Sequence, residues 1–480
     1  MGKMKNVGKI LGIDLGTTNS VITVYDGDTG EYTPIPSLEG NPLVPSVFYV
    51  KDKIRVGDKA REEIKKHPEN VITSVKSFMD TPKHKFVIPN AFMTSEDDEA
   101  EDIEYSPIEI SAYILRYIKK CAEDYVGVEV NDVVITVPAY FRETERKATK
   151  RAAEKAGLNL IEIINEPTSA CLAYGYASTK DAPELDILVY DLGGGTFDVT
   201  HLNMTPTVYE VINTDGMKVG GDDIDLAFLE YVKKRVDIGK ATEKQAKFVV
   251  EAAKKKLSCE DKVEVNFSEY GGGQLSVTIT QFERVISPII NKTITKVLNI
   301  IEGKKIDEVV LVGGSTRIPL IRRRLIELLN LDKNYFDKYK IDPDLAVSIG
   351  ACIRGRIILG DTDILLIDKT QFNLGIELDD GTLDAIIKRG SVIPTTGHGT
   401  YTNSSLDLEE IKFKVYQGNE LIASHNQYLG ELKFKLDTSL HSNTRFKVTF
   451  KLDSSGVLSV DVVNLLTTEK QTVEVKGVVD

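Results

Sequence analysis

Short apolar runs alternate with longer stretches of helical spacing along the first 360 residues of the chain. The runs at 132–137 and 308–312 predict buried strands, and the apolar positions of residues 108–126 recur at the spacing of a helix. Residues 142–156 are charged and rich in helix-favouring types, so they predict another helix. This alternation is typical of an α/β fold.

One pattern occurs twice. Residues 9–24 and residues 186–200 both show an apolar strand, an aspartate, a turn rich in glycine and threonine, and a second apolar strand. The aspartates are Asp14 and Asp191. Two similar lobes, each opening with such a hairpin, would explain the repetition.

The pattern changes after residue 361. Residues 363–368 form a short apolar run between acidic ends, and the segments 411–416 and 446–452 alternate with period two between turn-like residues. Such segments predict an all-β domain. We therefore expect a first domain at 1–361, a linker at 362–368 and a β domain at 369–480. The basic helical stretch at 238–259 is expected to be a solvated helix face.

Charge and composition narrow the classes of partner. The 480 residues include 60 Lys and Arg against 73 Asp and Glu, a net charge of −13, which argues against nucleic acid or an anionic membrane as the main partner. The sequence shows neither a secretory signal nor an apolar run of membrane-spanning length, and its four cysteines are widely scattered. We therefore expect neither a disulfide framework nor a structural zinc site. We do expect a cytoplasmic, reducing location.

The first candidate for chemistry is the turn after Asp14. Gly16 permits close approach of a phosphate, and Thr17 and Thr18 supply hydroxyl donors. The carboxylate of Asp14 would repel phosphate directly but could hold Mg²⁺ through water. An ordinary hairpin turn is the alternative interpretation.

The second candidate is the turn at residues 191–198. Three consecutive glycines within a strand–turn–strand pattern cost chain entropy, which indicates that something approaches the backbone closely. Thr196 and Asp198 add a hydroxyl and a second carboxylate. A loose hairpin loop is the alternative.

Two further segments could receive a nucleotide, and one more carboxylate stands at the start of a helix. Gly313 and Gly314 follow a strand and precede a helix, although the segment lacks the P-loop pattern. The acidic Gly-Gly-Asp-Asp run at 220–223 precedes another helix and has carboxylates suited to ribose hydroxyls. Glu166 stands between a strand and a helix, where a carboxylate also serves simply as a partner of the helix dipole.

These motifs resemble, in their order along the chain, those of the 70-kilodalton heat-shock protein (DnaK-type) chaperones. They are DLGTTNS, VPAYF, IINEPT, DLGGGTFDV, GGDD, LVGGSTRIP and DILLID. The resemblance covers nearly the whole chain and implies an α/β two-lobed, actin-like (ribonuclease H-like, duplicated) ATPase domain followed by an all-β sandwich that binds extended peptides. The sequence stops at Asp480, and it therefore predicts a form without the family's helical lid.

The resemblance also implies roles for individual residues. Lys76, Glu166, Thr196 and Asp198 would be catalytic, and Asp14 and Asp191 would hold Mg²⁺ through water, with K⁺ nearby. The implied nucleotide contacts are Gly16, Thr17, Thr18, Asn19, Gly193, Gly194, Gly195, Thr196, Gly220, Gly221, Asp222, Glu251, Lys254, Lys255, Ser258, Gly313, Gly314, Ser315, Arg317 and Asp344. The implied peptide-channel residues are Ile376, Tyr401, Ser404, Ile411, Phe413 and Phe446, for which sandwich core is the alternative.

Four positions depart from the family pattern. Lys255 stands where most relatives have an arginine that stacks on adenine, so weaker nucleotide affinity is expected. Glu162 replaces an arginine on the face used by J-domain partners, which argues against the usual J-domain contact. Phe78, two residues after Lys76, stands where relatives usually have leucine, and Asp379 stands where relatives often have an apolar residue at the arch of the peptide channel.

The resemblance implies an ATP-dependent, heat-shock-type chaperone that acts on unfolded polypeptides and works with a nucleotide exchange factor. A sugar-kinase-like enzyme or a filament-forming actin relative would share the ATPase lobes but would lack the linker and the β domain. A regulatory relative, a co-chaperone or exchange factor with weak or no ATP turnover, is the closest alternative. Asp14, Lys76, Glu166, Asp191, Thr196 and Asp198 weigh against it.

Overall fold

The structure is a computed structural model that describes residues 8–91, 101–177, 184–338, 342–402, 410–435 and 444–473. The chain divides into two compact units. Unit 1 comprises Met1–Ala139 and Ala152–Leu365, and unit 2 comprises Tyr140–Arg151 and Leu366–Asp480. The division at 365 lies inside the predicted linker, whereas the grouping of residues 140–151 with unit 2 is not predicted by the sequence pattern.

The α-helices of the described residues are α1 (Asp58–Glu62), α2 (Pro107–Val126), α3 (Glu143–Lys155), α4 (Glu166–Ala177), α5 (Gly221–Lys233), α6 (Glu243–Leu257), α7 (Ile279–Ile301), α8 (Pro319–Leu329) and α9 (Ala346–Ile358). The helices predicted at 108–126 and 142–156 are confirmed as α2 and α3. None of the helices in the described ranges combines the length and apolar character needed to cross a membrane.

The strands up to residue 278 are β1 (Leu11–Leu15), β2 (Asn19–Asp26), β3 (Glu31–Pro34), β4 (Val44–Pro45), β5 (Phe48–Val50), β6 (Ile54–Val56), β7 (Val71–Ile72), β8 (Phe86–Ala91), β9 (Glu101–Tyr105), β10 (Asp132–Val137), β11 (Asn159–Asn165), β12 (Leu185–Leu192), β13 (Phe197–Met204), β14 (Val208–Met217), β15 (Lys262–Asn266) and β16 (Gln274–Thr278). The later strands are β17 (Glu308–Val312), β18 (Leu365–Lys369), β19 (Asn373–Glu377), β20 (Leu383–Ile387), β21 (Val392–Ile393), β22 (Thr395–Thr402), β23 (Glu410–Gly418), β24 (Gln427–Lys435), β25 (Arg445–Leu452), β26 (Leu458–Asn464) and β27 (Lys470–Val473).

Local sequence explains where α2 begins and ends. Ser106 and Glu109 form a capping box, in which each side chain accepts from the backbone N–H of the other, and Pro107 occupies the first helical position. Gly127 ends the helix in the left-handed conformation that glycine adopts without strain. The apolar stripe of the helix is buried in unit 1.

The two hairpins recognised in the sequence belong to two sheets with the same arrangement of strands. The first sheet contains the order β10-β1-β2-β3, and the second contains the order β17-β12-β13-β14. In each, the aspartate-bearing strand runs parallel to one neighbour and antiparallel to the other. The repeated sequence pattern therefore corresponds to a repeated sheet arrangement.

Unit 2 contains two four-stranded antiparallel sheets, in the orders β20-β19-β23-β24 and β22-β25-β26-β27. Residues of both sheets pack into one hydrophobic core, with Leu374 and Phe413 from the first and Val448 and Phe450 from the second. Alternate residues of β25 are buried, as its period-two pattern predicts. From residue 373 onward the described residues form strands β19 to β27 and one short 3₁₀ helix, Ala423–His425.

Candidate functional site

Asp14 and Asp191 lie at corresponding places in the two sheets of unit 1. Asp14 pairs with Thr136 in the parallel ladder of β1 and β10, and the Thr136 hydroxyl donates to Asp14 Oδ1 at 3.0 Å. Burial and then the nearby charge of Glu166 raise the pKa of Asp14 to about 7 and raise the pKa of Asp191 above its usual range. These carboxylates destabilise one another as anions, so a cation between them would be favourable.

The residues present fit a hydrated magnesium ion. No group of three or more His, Cys, Asp or Glu side chains within the described ranges has the geometry of a protein-only metal site. Mg²⁺ prefers oxygen ligands and keeps several of its waters, so two carboxylates suffice to hold it beside a phosphate. Asp14 and Asp191 would supply those oxygens.

Lys76 and Glu166 form a buried ion pair beside these aspartates. Lys76 lies in a 3₁₀ turn, Val75–Phe78, and is 5% exposed; Glu166 is the first residue of α4 and is 7% exposed. The Lys76 ammonium donates to Glu166 Oε1. The pair places a fixed positive charge within the acidic cluster.

Two glycine-rich turns stack against each other at this end of the site. The N–H groups of Gly221 and Asp222 donate to the carbonyls of Gly193 and Gly194 at 2.9 and 2.7 Å. A Cβ atom at Gly194 would overlap the Thr18 hydroxyl, and one at Gly220 would lie 2.6 Å from the carbonyl carbon of Gly194. At Gly220 the close atoms are backbone, so glycine is required there, whereas at Gly194 a side chain would displace the Thr18 hydroxyl.

A cavity of about 520 Å³ adjoins a smaller acidic pocket of about 80 Å³. The predicted residues that line one or both are Asp14, Gly16, Thr17, Thr18, Asn19, Lys76, Glu166, Asp191, Gly193, Gly194, Thr196, Gly221, Asp222, Glu251, Lys254, Lys255, Ser258, Gly313, Gly314, Ser315, Arg317 and Asp344. A cavity of this size can hold a nucleotide, with its phosphates toward the small acidic pocket.

Three predicted residues do not line either cavity. Gly195 and Gly220 lie where the two glycine-rich turns meet, since a Cβ at Gly220 would be 2.7 Å from the Gly195 nitrogen. Asp198 is 1% exposed and pairs with Asp191 between β12 and β13, where its charge helps to raise the pKa of Asp191.

The expectation that the basic stretch at 238–259 is a solvated face is wrong for one side of α6. Lys244 donates to the carbonyl of Pro68 at 2.7 Å, and Phe248 packs against a cluster of buried apolar residues from the N-terminal part of the chain. Glu251 accepts from Arg61 Nη2 at 2.8 Å. These α6 residues recur every three or four positions, so they form a single stripe that contacts the N-terminal part of unit 1 across the large cavity.

Charges at the far end of the cavity are paired with one another. Glu251 Oε1 also lies 2.7 Å from Lys255 Nζ, and although burial alone would raise the pKa of Glu251, Lys255 and Arg61 lower it. Arg317 Nη2 lies 2.6 Å from Asp342 and 2.8 Å from Asp344. The ionised Glu251 carboxylate is thus held at the cavity wall, where a ribose hydroxyl could donate to it.

Sequence reasoning missed several residues that complete this wall. Arg61, Ser74 and Lys247 line the cavity. Ser74 and Lys247 both contact Asp222, each at 2.6 Å. For Lys247 and Phe248 the helical periodicity of α6 was the available signal, whereas no local pattern marks Arg61 or Ser74.

The predicted peptide-channel residues belong to the core of unit 2 or to its margin. Ile376, Phe413 and Phe446 are at most 3% exposed, and Tyr401 and Ile411 are partly buried against them. The Tyr401 hydroxyl donates to Asp384 Oδ2 at 2.6 Å. Asp379 is exposed, and Ser404 lies outside the described residues.

Glu162, which departs from the family pattern, is 6% exposed on β11. Its two oxygens accept from Arg354 Nε and Nη2 at 2.7 and 3.0 Å, a bidentate pair with α9. Its charge is therefore neutralised within unit 1.

The Hsp70 protein family model matches residues 10–479. The match takes in both units, from the first aspartate hairpin to the last described strand of the β region. Members of this family are in general ATP-hydrolysing chaperones, which agrees with a nucleotide-sized cavity that ends in buried carboxylates and a lysine. The chain belongs to the Hsp70 family.

Proposed function

We propose that this chain is a DnaK-type chaperone that hydrolyses ATP to ADP and phosphate in unit 1 and binds extended apolar segments of unfolded polypeptides in unit 2. The observation that carries the proposal is the buried Lys76–Glu166 pair beside Asp14 and Asp191, at the closed end of a cavity lined by the glycine-rich turns. The large part of the cavity takes the adenosine, and the small pocket takes the terminal phosphate.

Lys76 acts on the transferring phosphoryl group. Its ammonium, fixed by Glu166, stabilises negative charge that develops in the transition state and orients the attacking water. Because both side chains are buried, this interaction is little screened by solvent. Thr17, Thr18 and Thr196 donate to phosphate oxygens, together with the backbone N–H group of Gly194; the N–H of Gly193 instead donates to the Thr196 carbonyl at 3.0 Å and holds the turn closed.

Asp14 and Asp191 would hold Mg²⁺ through its water shell, and Glu166 and Asp198 would hold a potassium ion, as in the family. Bound Mg²⁺ neutralises phosphate charge and orients the terminal phosphoryl group. Burial and then the charges of Glu166, Asp198 and Asp14 raise the pKa of Asp191, so a cation held here would relieve repulsion within the acidic cluster.

Unit 2 offers the features that an extended peptide needs. β22 is at the edge of its sheet in the described part of the chain, so its outer backbone groups are available for strand addition. Tyr401 on that strand and Ile411 on β23 keep partly accessible apolar surface beside the core. Peptide main chain would pair with the edge, and apolar side chains would pack on this margin.

The proposed partners are unfolded polypeptides and a nucleotide exchange factor. The bidentate Glu162–Arg354 pair supports the interpretation that Glu162 is not a docking charge for the usual J-domain co-chaperone. A J-domain partner would have to use other contacts on this face.

The test is ATP turnover by the whole chain with excess Mg²⁺, with a chelator, and with an unfolded polypeptide added. We expect Mg²⁺-dependent hydrolysis that the polypeptide stimulates. Asp14→Asn should abolish the Mg²⁺-dependent hydrolysis. Asp26→Asn, at an exposed turn on the neighbouring strand, should leave this hydrolysis unchanged. Absence of turnover under every condition would support the regulatory alternative.

A further inference from the structure

Ser74 has an unusual backbone conformation directly before the turn that contains Lys76. Its φ and ψ are 56° and 30°, in the left-handed region that side chains other than glycine rarely adopt. Strained residues of this kind persist where surrounding contacts hold them, and they cluster at functional sites. Ser74 lies at the N-terminus of the 3₁₀ turn Val75–Phe78 and lines the large cavity.

The side chain of Ser74 is tied to a segment far along the chain. Its hydroxyl donates to Asp222 Oδ2 at 2.6 Å, and the other oxygen of that carboxylate accepts from Lys247 Nζ at 2.6 Å. The backbone N–H of Asp222 donates to the carbonyl of Gly194 at 2.7 Å. A continuous set of bonds therefore runs from the proposed phosphate turn through Asp222 to Ser74.

Packing holds the apolar side of the lysine turn. Val75 and Met79 are buried, and the turn closes on itself through the bond from Ser77 N–H to the Ser74 carbonyl. On the cavity side the turn is attached through the Ser74 hydroxyl to Asp222 and through Lys76 to Glu166. A shift of the backbone at Ser74 would therefore move the base of the Lys76 side chain relative to the phosphates.

We infer that Ser74 is a positioning residue for Lys76, and that Asp222, anchored by Lys247, ties the position of this lysine to the glycine-rich turn at Gly194. The inference rests on the proposed ATP hydrolysis. Ser74 touches no reacting atom; it fixes where the lysine turn lies when the phosphate turn is in place. A misplacement of about 1 Å in such a group lowers a rate by up to about 100-fold.

The test uses single-turnover ATP hydrolysis together with ATP affinity. Ser74→Gly removes the hydroxyl but relieves the left-handed strain, so a purely conformational role predicts activity at least equal to that of the unsubstituted protein. We expect instead a rate about tenfold lower with ATP affinity nearly unchanged. Ser74→Asn, which tolerates the left-handed region and carries a donor, should recover most of the rate.

Two controls make the result specific. Lys218→Ala removes an exposed lysine that donates to the Ser77 carbonyl of the same turn at 3.4 Å and pairs with Asp80 just after it, and it should leave the rate within about twofold, since exposed ion pairs contribute little. In a Lys76→Ala background, Ser74→Gly should have no further effect, because it acts through the lysine. An independent slowing in that background would overturn the inference.

The outcomes separate this inference from the proposed function. If the unsubstituted protein hydrolyses ATP and Ser74→Gly does so at an undiminished rate, the inference is overturned but the proposed function is not. No hydrolysis by the unsubstituted protein would overturn both.

Discussion

Lys76 and Glu166 lie 90 residues apart in the chain, yet their side chains form a hydrogen-bonded ion pair that is more than nine-tenths buried. A buried ion pair is weak evidence of stability, because removing two charges from water offsets much of their attraction. Its position in one pocket with the partly buried Asp14 and the buried Asp191 gives it a chemical role instead. A phosphoryl group that reaches this pair meets a fixed positive charge.

Replacing Lys255 with arginine should tighten nucleotide binding. Lys255 is about half exposed and pairs with Glu251 at 2.7 Å, and an arginine could keep that pair while stacking its planar guanidinium on the base. We expect the Kd for ADP, measured by calorimetry, to fall about three- to fivefold. The neighbouring exposed substitution Lys256→Arg is the matched control, and an equal Kd in both variants would contradict the assignment of Lys255 to the base.

Removing the charge of Arg61 should speed nucleotide release. Arg61 on α1 donates to Glu251 on α6, so this pair joins two walls of the cavity. Arg61→Gln should raise the dissociation rate of a fluorescent ADP analogue about fivefold, as expected for the loss of about 1 kcal/mol. Arg55→Gln removes a similar pair with Glu63 away from the cavity and should leave release unchanged. Equal rates in the two variants would show that the Arg61 pair does not retain the nucleotide.

The linker should couple peptide binding to hydrolysis. The side chain of Leu365 is 55% exposed, while its backbone N–H donates to the Thr207 carbonyl at 2.7 Å. Exposed apolar surface costs free energy unless it docks in one nucleotide state. Replacing Leu365 and Leu366 with aspartate should abolish stimulation by an unfolded polypeptide but leave basal turnover intact. Leu359→Asp changes another exposed leucine, before the linker, and should keep the stimulation by polypeptide. Loss of stimulation in Leu359→Asp as well would show that the effect is not specific to the linker.

Asp225 should make stability depend on pH. Burial raises its pKa from the usual 3.8 to about 6, although Lys254 lies 2.8 Å away and opposes the shift. The folded protein then binds this proton more tightly than the unfolded chain, so the contribution is full below about pH 4 and is lost as pH rises through 6. Relative to Asp225→Asn, the unsubstituted protein should lose up to about 3 kcal/mol between pH 4 and pH 7. Urea unfolding of both proteins across this range is the measurement, and a difference that does not change with pH would refute it.

Local pattern was sufficient to predict most of the elements that carry the site. Apolar runs that end in aspartate, glycine and threonine predict β1 and β12 with their turns, and Glu166 is where the pattern changes from strand to helix. These signals are local because a strand end, a tight turn and a helix start each depend on a few adjacent residues.

The contacts across the cavity could not be predicted in the same way. Ser74 and its partner Asp222 are 148 residues apart in the sequence, and Arg61 and Glu251 are 190 residues apart. No residue adjacent to Ser74 or Arg61 specifies its partner. The charged stretch of α6 was interpreted as solvated because charge runs usually are. Its contacts appear only when the fold brings the N-terminal part of unit 1 against this helix.

The central claim is that Lys76 acts on the transition state of ATP hydrolysis. Its most direct test is single-turnover hydrolysis of ATP by Lys76→Ala, with ATP affinity measured on the same protein and the exposed substitution Lys83→Ala as control. The account predicts a rate lower by at least about 100-fold with ATP affinity nearly unchanged, because the interaction is made mainly in the transition state. A rate equal to that of Lys83→Ala would contradict it.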